Sequence, residues 1–132
     1  MCGIAGFSIS TKDRGKIKSR SLAEKLLLEI VVRGEDATGA AWTEVADDKA
    51  NVFYSKEAMP AEEFVEYLDM MPLFTRTAIL HTRYATKGSP SNNNNNHPII
   101  IPNKIVGVHN GVITNDDELF DVNDWERIAQ VD

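Results

Sequence analysis

A single cysteine, Cys2, lies directly behind the first methionine of this 132-residue chain. One cysteine cannot form an internal disulfide, so the fold has to be held together by an apolar core. Hydrophobic residues make up 42% of the sequence and charged residues 26%, which is typical of a globular domain that can bury such a core. The length fits one domain, and we expect residues 1–132 to form it without a second domain.

Removal of Met1 would give Cys2 both a thiol and a free α-amine. The pKa of an α-amine is about 7.7–8.0, so a useful fraction is neutral near pH 7 and can take the proton of the thiol. Gly3 and Gly6 allow other backbone or a ligand to come close to that thiol. The alternative is an inert, buried thiol, which is the usual state of a lone cysteine in an intracellular protein.

The charge balance excludes several kinds of partner. The net charge is −6, from 20 acidic and 14 basic residues, which argues against nonspecific binding to nucleic acid or to an anionic membrane. No apolar stretch approaches the roughly 20 residues of a membrane-spanning helix. No basic segment precedes an apolar run as in a signal peptide. These features predict a cytoplasmic protein with no nucleic-acid or membrane partner.

Hydrophobic periodicity predicts an α+β fold. Alternating or continuous apolar runs predict strands over residues 2–10, 40–45, 51–55, 77–82, 99–101 and 105–108. Helical spacing predicts helices over residues 22–32 and 60–71 and over part of 116–130. Ser21 and Glu24 form a capping box for the first helix, and Phe64, Leu68 and Met71 share one face of the second. Loops are predicted at residues 11–19 and 33–39 and a turn at residues 46–49.

One polar segment predicts a turn, and another allows two interpretations. Asn110-Gly111 between apolar runs is the strongest short signal for a β-hairpin. Residues 83–98 form a loop of about fifteen residues, a length that is usually functional or disordered. Its run of five asparagines, Asn92 to Asn96, favours disorder, whereas its arginine and hydroxyl side chains favour function.

Four short blocks occur in order along nearly the whole chain. They are Cys2-Gly-Ile-Ala-Gly6, Arg33-Gly-Glu-Asp-Ala-Thr-Gly39, His81-Thr-Arg-Tyr-Ala-Thr-Lys-Gly88 with His97-Pro98 beyond it, and Val108-His-Asn-Gly-Val-Ile-Thr-Asn115. Together they resemble the glutaminase domain of class II glutamine amidotransferases, which are N-terminal-nucleophile hydrolases and include glutamine–fructose-6-phosphate aminotransferase and amidophosphoribosyltransferase. The resemblance implies an αββα four-layer sandwich, here incomplete at the C-terminus, so that residues 1–132 are a short or truncated glutaminase domain.

The resemblance also implies a reaction. The side-chain amide of L-glutamine would be hydrolysed to glutamate and ammonia through a γ-glutamyl thioester on Cys2. The ammonia would pass to a separate synthase module, and no cofactor is implied. The side-chain amide of Asn110 and the backbone N–H of Gly111 are assigned to the oxyanion of the tetrahedral species, which needs donors already in place. An Asn-Gly turn can present both, so the hairpin and the oxyanion site are compatible.

Substrate-binding residues follow from the third block. Arg83 is the natural partner of the glutamine carboxylate, because a guanidinium binds carboxylate bidentately. Thr86 can add a hydrogen bond, Tyr84 stands where the family commonly has tryptophan, and Asp132 falls where the family has an ammonium-binding aspartate. Lys87 replaces a frequent histidine. For Arg83 alone, the alternative is a solvated surface arginine.

Five further residues are expected to support the site. They are Arg33, Asp36, His81, His97 and His109. A histidine–cysteine dyad is a competing idea, but the α-amine of Cys2 makes an imidazole base unnecessary. No two histidines stand at i, i+4 on a predicted helix, so no metal site is predicted.

Two other functions remain open. The chain could be a catalytically inactive glutamine-binding or assembly module, which the missing C-terminal segment supports. It could also be another N-terminal-nucleophile amidase, although Arg83 and Thr86 suit an amino-acid carboxylate. An incomplete sandwich would leave a sheet edge open, so pairing with a partner or poor stability is expected.

Overall fold

The secondary structure mixes antiparallel strands with a few helices, as the periodicity predicts. The computed structural model describes residues 1–46, 49–102 and 104–131. The strands are β1 (Gly3–Ser8), β2 (Ala37–Ala46), β3 (Lys49–Glu57), β4 (Thr77–Arg83), β5 (Ile99–Ile101) and β6 (Ile105–Gly107). The α-helices are α1 (Ser19–Ile30), α2 (Ala61–Phe64) and α3 (Asp116–Asn123), and 3₁₀ turns occupy Thr11–Asp13, Val31–Arg33, Val65–Met70 and Asn93–Asn95.

The larger sheet brings three of the four sequence blocks together where β1 and β2 begin and β4 ends. Its strand order is β1-β4-β2-β3, and all neighbours are antiparallel. Gly3 of β1 is paired with Thr82 of β4, and Ala37 of β2 is paired with Arg83. The beginnings of β1 and β2 therefore lie beside the end of β4, which puts Cys2 and the loop before β2 next to Arg83.

Helices α1 and α2 and the 3₁₀ turn that follows α2 cover one face of this sheet and form an apolar core with it. Phe64, Leu68 and Met71 are completely buried, so the predicted shared face of the second helical segment is confirmed. The rest of the core comes from α1 and from the sheet: Ala23, Leu27, Ala40, Trp42, Ala78 and Leu80. Pairing with β1 and β2 places β4 inside the sheet, and its core side chains pack against the helices.

The opposite face of the sheet meets a second, smaller sheet. Strands β5 and β6 pair antiparallel, with Ile100 opposite Val106. A wide cleft of about 990 Å³ separates this pair from the larger sheet, lined among others by Ala41 and Ile79. The α+β class is thus observed, while the αββα four-layer sandwich, incomplete at the C-terminus, stays a prediction.

The first helix begins earlier than the sequence predicts. It starts at Ser19 rather than at residue 22, and the residue before it, Lys18, makes no side-chain cap. Tertiary contacts explain the early start, because the Ser19 hydroxyl donates to the Leu73 carbonyl at 3.2 Å and Arg20 Nε donates to the Met71 carbonyl at 2.6 Å. The predicted capping box is wrong, since Ser21 lies inside the helix.

The second and third helices are shorter than predicted. Over residues 60–71 the α-helix ends at Phe64 and continues as a 3₁₀ turn. Helix α3 ends at Asn123, because Asp124 adopts a left-handed conformation with φ of 50°. Trp125 and Ile128, apolar residues within the predicted range 116–130, follow that end and are exposed.

Strands β2 and β3 are longer than predicted, β1 and β6 are shorter, and the loop after β4 is more ordered. Strand β2 begins at Ala37, inside the predicted loop, and β3 extends to Glu57. The predicted turn at residues 46–49 includes Asp47 and Asp48, which lie outside the described residues. The asparagine run forms a 3₁₀ turn in which Asn95 and Asn96 are completely buried, so the interpretation as a disordered segment is not supported.

The predicted Asn110-Gly111 hairpin is wrong. Strand β6 ends at Gly107, and residues 108–115 contain no strand. Instead of returning along β6, this segment brings the carbonyl of His109 to 3.2 Å from Nε2 of His81, in the centre of the larger sheet. A tertiary contact therefore sets the backbone path here.

Candidate active site

Cys2 sits at the meeting point of β1, β4 and the turn after α1. Its residue is half-buried, and Sγ lies 3.7 Å from the carbonyl oxygen of Tyr84. The Nε–H of Arg33 donates to the backbone carbonyl of Cys2 at 3.1 Å. Strand pairing immediately after Cys2 fixes its position, so the thiol is held on a rigid element while remaining partly accessible to solvent.

The loop before β2 holds the segment that follows β4. One carboxylate oxygen of Asp36 accepts from the backbone N–H of Ala85 at 2.7 Å, and the backbone N–H of Asp36 donates to the carbonyl of Arg83 at 3.0 Å. Gly34 is buried against this backbone, and a Cβ there would collide with the carbonyl group of Arg83 and the amide nitrogen of Tyr84. These contacts are those expected of the supporting role predicted for Arg33 and Asp36.

The guanidinium of Arg83 is turned into its own loop. Arg83 is only 3% exposed, so the alternative of a solvated surface arginine is wrong. One terminal nitrogen donates to the side-chain oxygen of Asn96 at 2.9 Å, and the other donates to the carbonyls of Lys87 and Gly88. Burial lowers the pKa of Arg83, and the nearby Cys2 and Asp36 act in the opposite direction. Three of its five N–H donors are thereby engaged.

Unlike Arg83, the other predicted substrate-binding residues are exposed or lie outside the described residues. Tyr84 is 55% exposed and Thr86 is exposed, so both side chains are accessible beside the buried Arg83. Asp132 lies outside the described residues. The structure therefore brings Cys2 into contact with the carbonyl of Tyr84, the residue that follows Arg83, and Asp36 is hydrogen-bonded to the backbone of the same segment.

Two buried histidines stack beside this group. The rings of His81 and His97 are 4.4 Å apart between centroids, and Nδ1 of each has no hydrogen-bond partner among the described residues. Burial lowers the pKa of His81 to about 4 and that of His97 to about 3. Both imidazoles are therefore neutral at pH 7, and the proton of His81 lies on Nε2, because that nitrogen faces the His109 carbonyl.

The predicted oxyanion residues are connected to the sheet through His109. Asn110 and Gly111 are exposed, and the half-buried His109 precedes them with its carbonyl against His81. The ring of His109 also lies beside Gly111, because a Cβ there would be 2.8 Å from its Nε2. The hydrogen bonds of the described residues do not join either Asn110 or Gly111 to Cys2.

Buried amides missed by the sequence analysis organise the loop after β4. Asn95 donates to the Ser89 carbonyl at 3.0 Å and accepts from the backbone N–H of Gln130 at 2.7 Å. Asn96 donates to the Pro90 carbonyl at 2.7 Å while accepting from Arg83. Burying an amide without hydrogen bonds costs free energy, so these bonds allow Asn95 and Asn96 to be buried. The asparagine run looked like low-complexity sequence and carried no signal for this arrangement.

Lys87 links the same loop to α3 through an acidic residue that the sequence analysis also missed. Its ammonium pairs with the carboxylate of Asp116, which is 5% exposed and also accepts from Arg127 at 3.0 Å. The hydrogen bond from Lys87 is the main cause that lowers the pKa of Asp116. Because this pKa lies below the unfolded value of about 3.9, ionised Asp116 stabilises the fold above that pH. The contribution is lost as the pH falls through the folded pKa.

We expect Asp116→Asn to lower the free energy of unfolding at pH 7 and to lose this effect at an acid pH below the lowered pKa of Asp116. The measurement is urea unfolding followed by tryptophan fluorescence at both pH values. Asp117→Asn is the matched control, because that carboxylate is 83% exposed and should contribute within about 0.5 kcal/mol. Equal destabilisation by the two variants at pH 7 would show that the buried link to Lys87 adds nothing.

The described residues include no group of three or more histidine, cysteine, aspartate or glutamate side chains placed to hold a metal ion. Nor do they contain a helix long and apolar enough to cross a membrane.

No protein-family model matches the chain. Its sequence is similar to glutamine–fructose-6-phosphate aminotransferases [isomerizing] from several organisms. The enzyme of Photorhabdus laumondii is 36% identical over 122 residues, which is 90% of this chain. The enzymes of Pyrococcus horikoshii and Staphylococcus aureus are 34% and 38% identical over 119 and 120 residues. The chain spans only 18% of the length of these relatives. The predicted resemblance to this enzyme is thus confirmed.

Proposed function

We propose that this relative of the glutamine–fructose-6-phosphate aminotransferases is a class II glutaminase domain. It hydrolyses the side-chain amide of L-glutamine to glutamate and ammonia, and the ammonia passes to a synthase module that is not among residues 1–132. The similarity over 90% of the chain supports a glutamine amidotransferase domain. The proposal includes the N-terminal-nucleophile fold, in which the two antiparallel sheets are the inner layers of the sandwich.

One observation carries the proposal. The only thiol of the chain lies 3.7 Å from the Tyr84 carbonyl, directly beside the strand end that carries Arg83. A nucleophile and a cationic group for a carboxylate are thereby held on adjacent strands of one sheet. Because strand pairing fixes both, an amino-acid amide bound between them would have a defined orientation toward the thiol.

The reaction starts after removal of Met1, which is 78% exposed and accessible to trimming. The α-amine of Cys2, acting directly or through a water, takes the thiol proton, and the thiolate attacks the carboxamide carbon of glutamine. The tetrahedral species collapses with cleavage of the C–N bond, and ammonia leaves with the proton. Water then attacks the γ-glutamyl thioester, releasing glutamate and restoring the thiol.

Asn110 and Gly111 stabilise the oxyanion in this proposal. Two exposed donors on adjacent residues suit an oxygen that develops charge, provided that their backbone is fixed beforehand. The contact between the His109 carbonyl and His81 supports this, because it ties the preceding residue to the centre of the sheet. His81 is neutral at pH 7, so its contact with this backbone adds no charge to the site.

Substrate recognition combines Arg83 with the accessible residues that follow it. Among the described residues, Nη2 of Arg83 is fully used by its own loop, while Nε–H and one N–H of Nη1 make no hydrogen bond, and the proposal assigns one of these two donors to the glutamine carboxylate. Thr86 adds a hydroxyl and Tyr84 covers the bound substrate, while Asp132 pairs with the α-ammonium group. The supporting residues Arg33, Asp36 and His97 keep the backbone around these groups in place.

The proposal is tested with the full chain and two amides. L-Glutamine should yield equal amounts of glutamate and ammonia, whereas 4-aminobutyramide, which lacks the carboxylate, should react about 10–150-fold more slowly in kcat/KM. The factor follows from about 1.5–3 kcal/mol for a hydrogen bond to a charged group. Comparable turnover of both amides would favour an N-terminal-nucleophile amidase with another substrate. The internal use of three Arg83 donors is the observation that favours this second candidate.

A further inference from the structure

Lys56 is a half-buried lysine whose ammonium the proposed reaction does not use. It lies near the end of β3, opposite Gly39 of β2, and its Nζ donates to the backbone carbonyls of Asn96 at 2.7 Å and Pro98 at 3.0 Å. Among the described residues no carboxylate lies within ion-pair distance of Lys56. Burial lowers the pKa of this ammonium, so the two carbonyl oxygens are its principal compensation.

Those carbonyls belong to the asparagine segment, residues 92–98. The segment is also tied to Lys56 in the reverse direction, because the side-chain amide of Asn93 donates to the backbone carbonyl of Lys56 at 2.7 Å. It lies flat on β2 at Gly39, where a Cβ would collide with the His97 carbonyl. The segment is therefore seated on the β2–β3 pair, with charge-assisted bonds from Lys56 along its backbone.

The asparagine segment in turn meets the guanidinium that we assign to the glutamine carboxylate. The side-chain oxygen of Asn96 accepts from Arg83 at 2.9 Å, while the backbone carbonyl of the same residue accepts from Lys56. Asn96 is completely buried, and its amide nitrogen is held by Pro90 and Asn93. A shift of the Asn96 backbone would therefore move one of the three partners that orient Arg83.

We propose that Lys56 is a positioning residue for Arg83, acting through Asn96. It fixes the backbone that presents the Asn96 oxygen and so sets the orientation of the guanidinium that meets the glutamine carboxylate. This role rests on the proposed function, because it concerns how the glutamine carboxylate is met. Lys56 does not touch the substrate, so its loss should weaken substrate binding more than the chemical step.

Lys56→Met tests the inference, because methionine keeps most of the apolar stem and removes both donors. We expect the KM for glutamine to rise at least about tenfold, the effect of losing about 1.4 kcal/mol of binding, with kcat within about twofold of wild type. Lys56→Arg, which can still donate to both carbonyls, should restore KM to within about threefold. Lys49→Met removes an exposed lysine from the same strand and should change neither constant.

Amide hydrogen exchange of residues 89–98 provides a readout that is independent of activity. Lys56→Met should speed exchange in this stretch, and Lys49→Met should not. Unchanged exchange, or faster exchange with an unchanged KM, would overturn the positioning role. If Lys56→Met does not fold, Lys56→Leu, which also lacks a donor, is expected to show the same rise in KM. A wild-type chain that neither binds nor hydrolyses glutamine would end the proposed function and this role with it, while exchange would still decide whether Lys56 holds the segment.

Discussion

Replacing Cys2 with alanine is expected to abolish glutamine hydrolysis while leaving the fold intact. The proposed reaction passes through a covalent bond to Sγ, so no pathway remains once the sulfur is removed. The thiol makes only a long contact to the Tyr84 carbonyl, at 3.7 Å, so its loss should change the free energy of unfolding by less than about 1 kcal/mol. The measurements are glutamate release from glutamine and thermal unfolding of both proteins.

A second variant separates the thiol from its processing. An N-terminal extension that prevents removal of Met1 keeps Sγ but leaves Cys2 without a free α-amine. We expect this protein to be inactive as well, because the amine is the proposed base and the buried His81 and His97, with pKa values of about 4 and about 3, are too weakly basic to replace it. A Cys2→Ala protein that still hydrolysed glutamine would refute the mechanism. An active extended protein would refute the assignment of the α-amine as base.

Asn110→Ala is expected to lower kcat for glutamine by about 100–1,000-fold, the usual effect of removing one oxyanion donor. KM should change little, because the donor acts on charge that develops only in the transition state. Asn110 is exposed, so its truncation should leave the free energy of unfolding within about 0.5 kcal/mol of wild type. Initial rates over a range of glutamine concentrations separate the two constants.

The control for Asn110 is Asn115→Ala, five residues further along the same segment. Asn115 is exposed and precedes α3, but its side chain makes no capping hydrogen bond. This variant should retain wild-type kcat. Equal activity of both variants, or an Asn110→Ala effect confined to KM, would show that Asn110 does not stabilise the oxyanion.

The sequence could predict which elements exist and which blocks belong together. Apolar periodicity located β1, β4 and α1, because the burial that it reflects is also what holds those elements in the sheet and core. The order of the blocks around Cys2, Arg33 and Arg83 anticipated a common site, and pairing of β1 and β2 with β4 brings them to one edge.

Local signals failed where tertiary contacts decide the backbone. The Ser21–Glu24 capping box gave way to an earlier helix start because Ser19 and Arg20 bind the backbone at residues 71 and 73. Asn110-Gly111 did not form a hairpin, because His109 instead meets His81 across a sequence separation of 28 residues. Turn propensities describe only neighbours along the chain, so neither outcome was visible to them.

The arrangement around Arg83 was equally beyond sequence reasoning. Its partners are backbone carbonyls and the Asn96 side chain, and backbone carbonyls have no residue-specific signature. Lys56 is 27 residues away from Arg83 along the chain and acts through the Asn96 backbone. Only the pairing of β3 with β2 brings it there, which explains why the substrate-binding prediction identified Arg83 but not what holds it.

The most direct test of the central claim is the intact mass of the purified chain before and after incubation with a diazoketone analogue of glutamine. The account predicts loss of Met1 and a single adduct on Cys2, which requires both a processed nucleophile and a pocket that accepts glutamine. Excess L-glutamine should slow formation of this adduct. A retained Met1, or a processed terminus that forms no adduct, would contradict the assignment of this chain as a glutaminase.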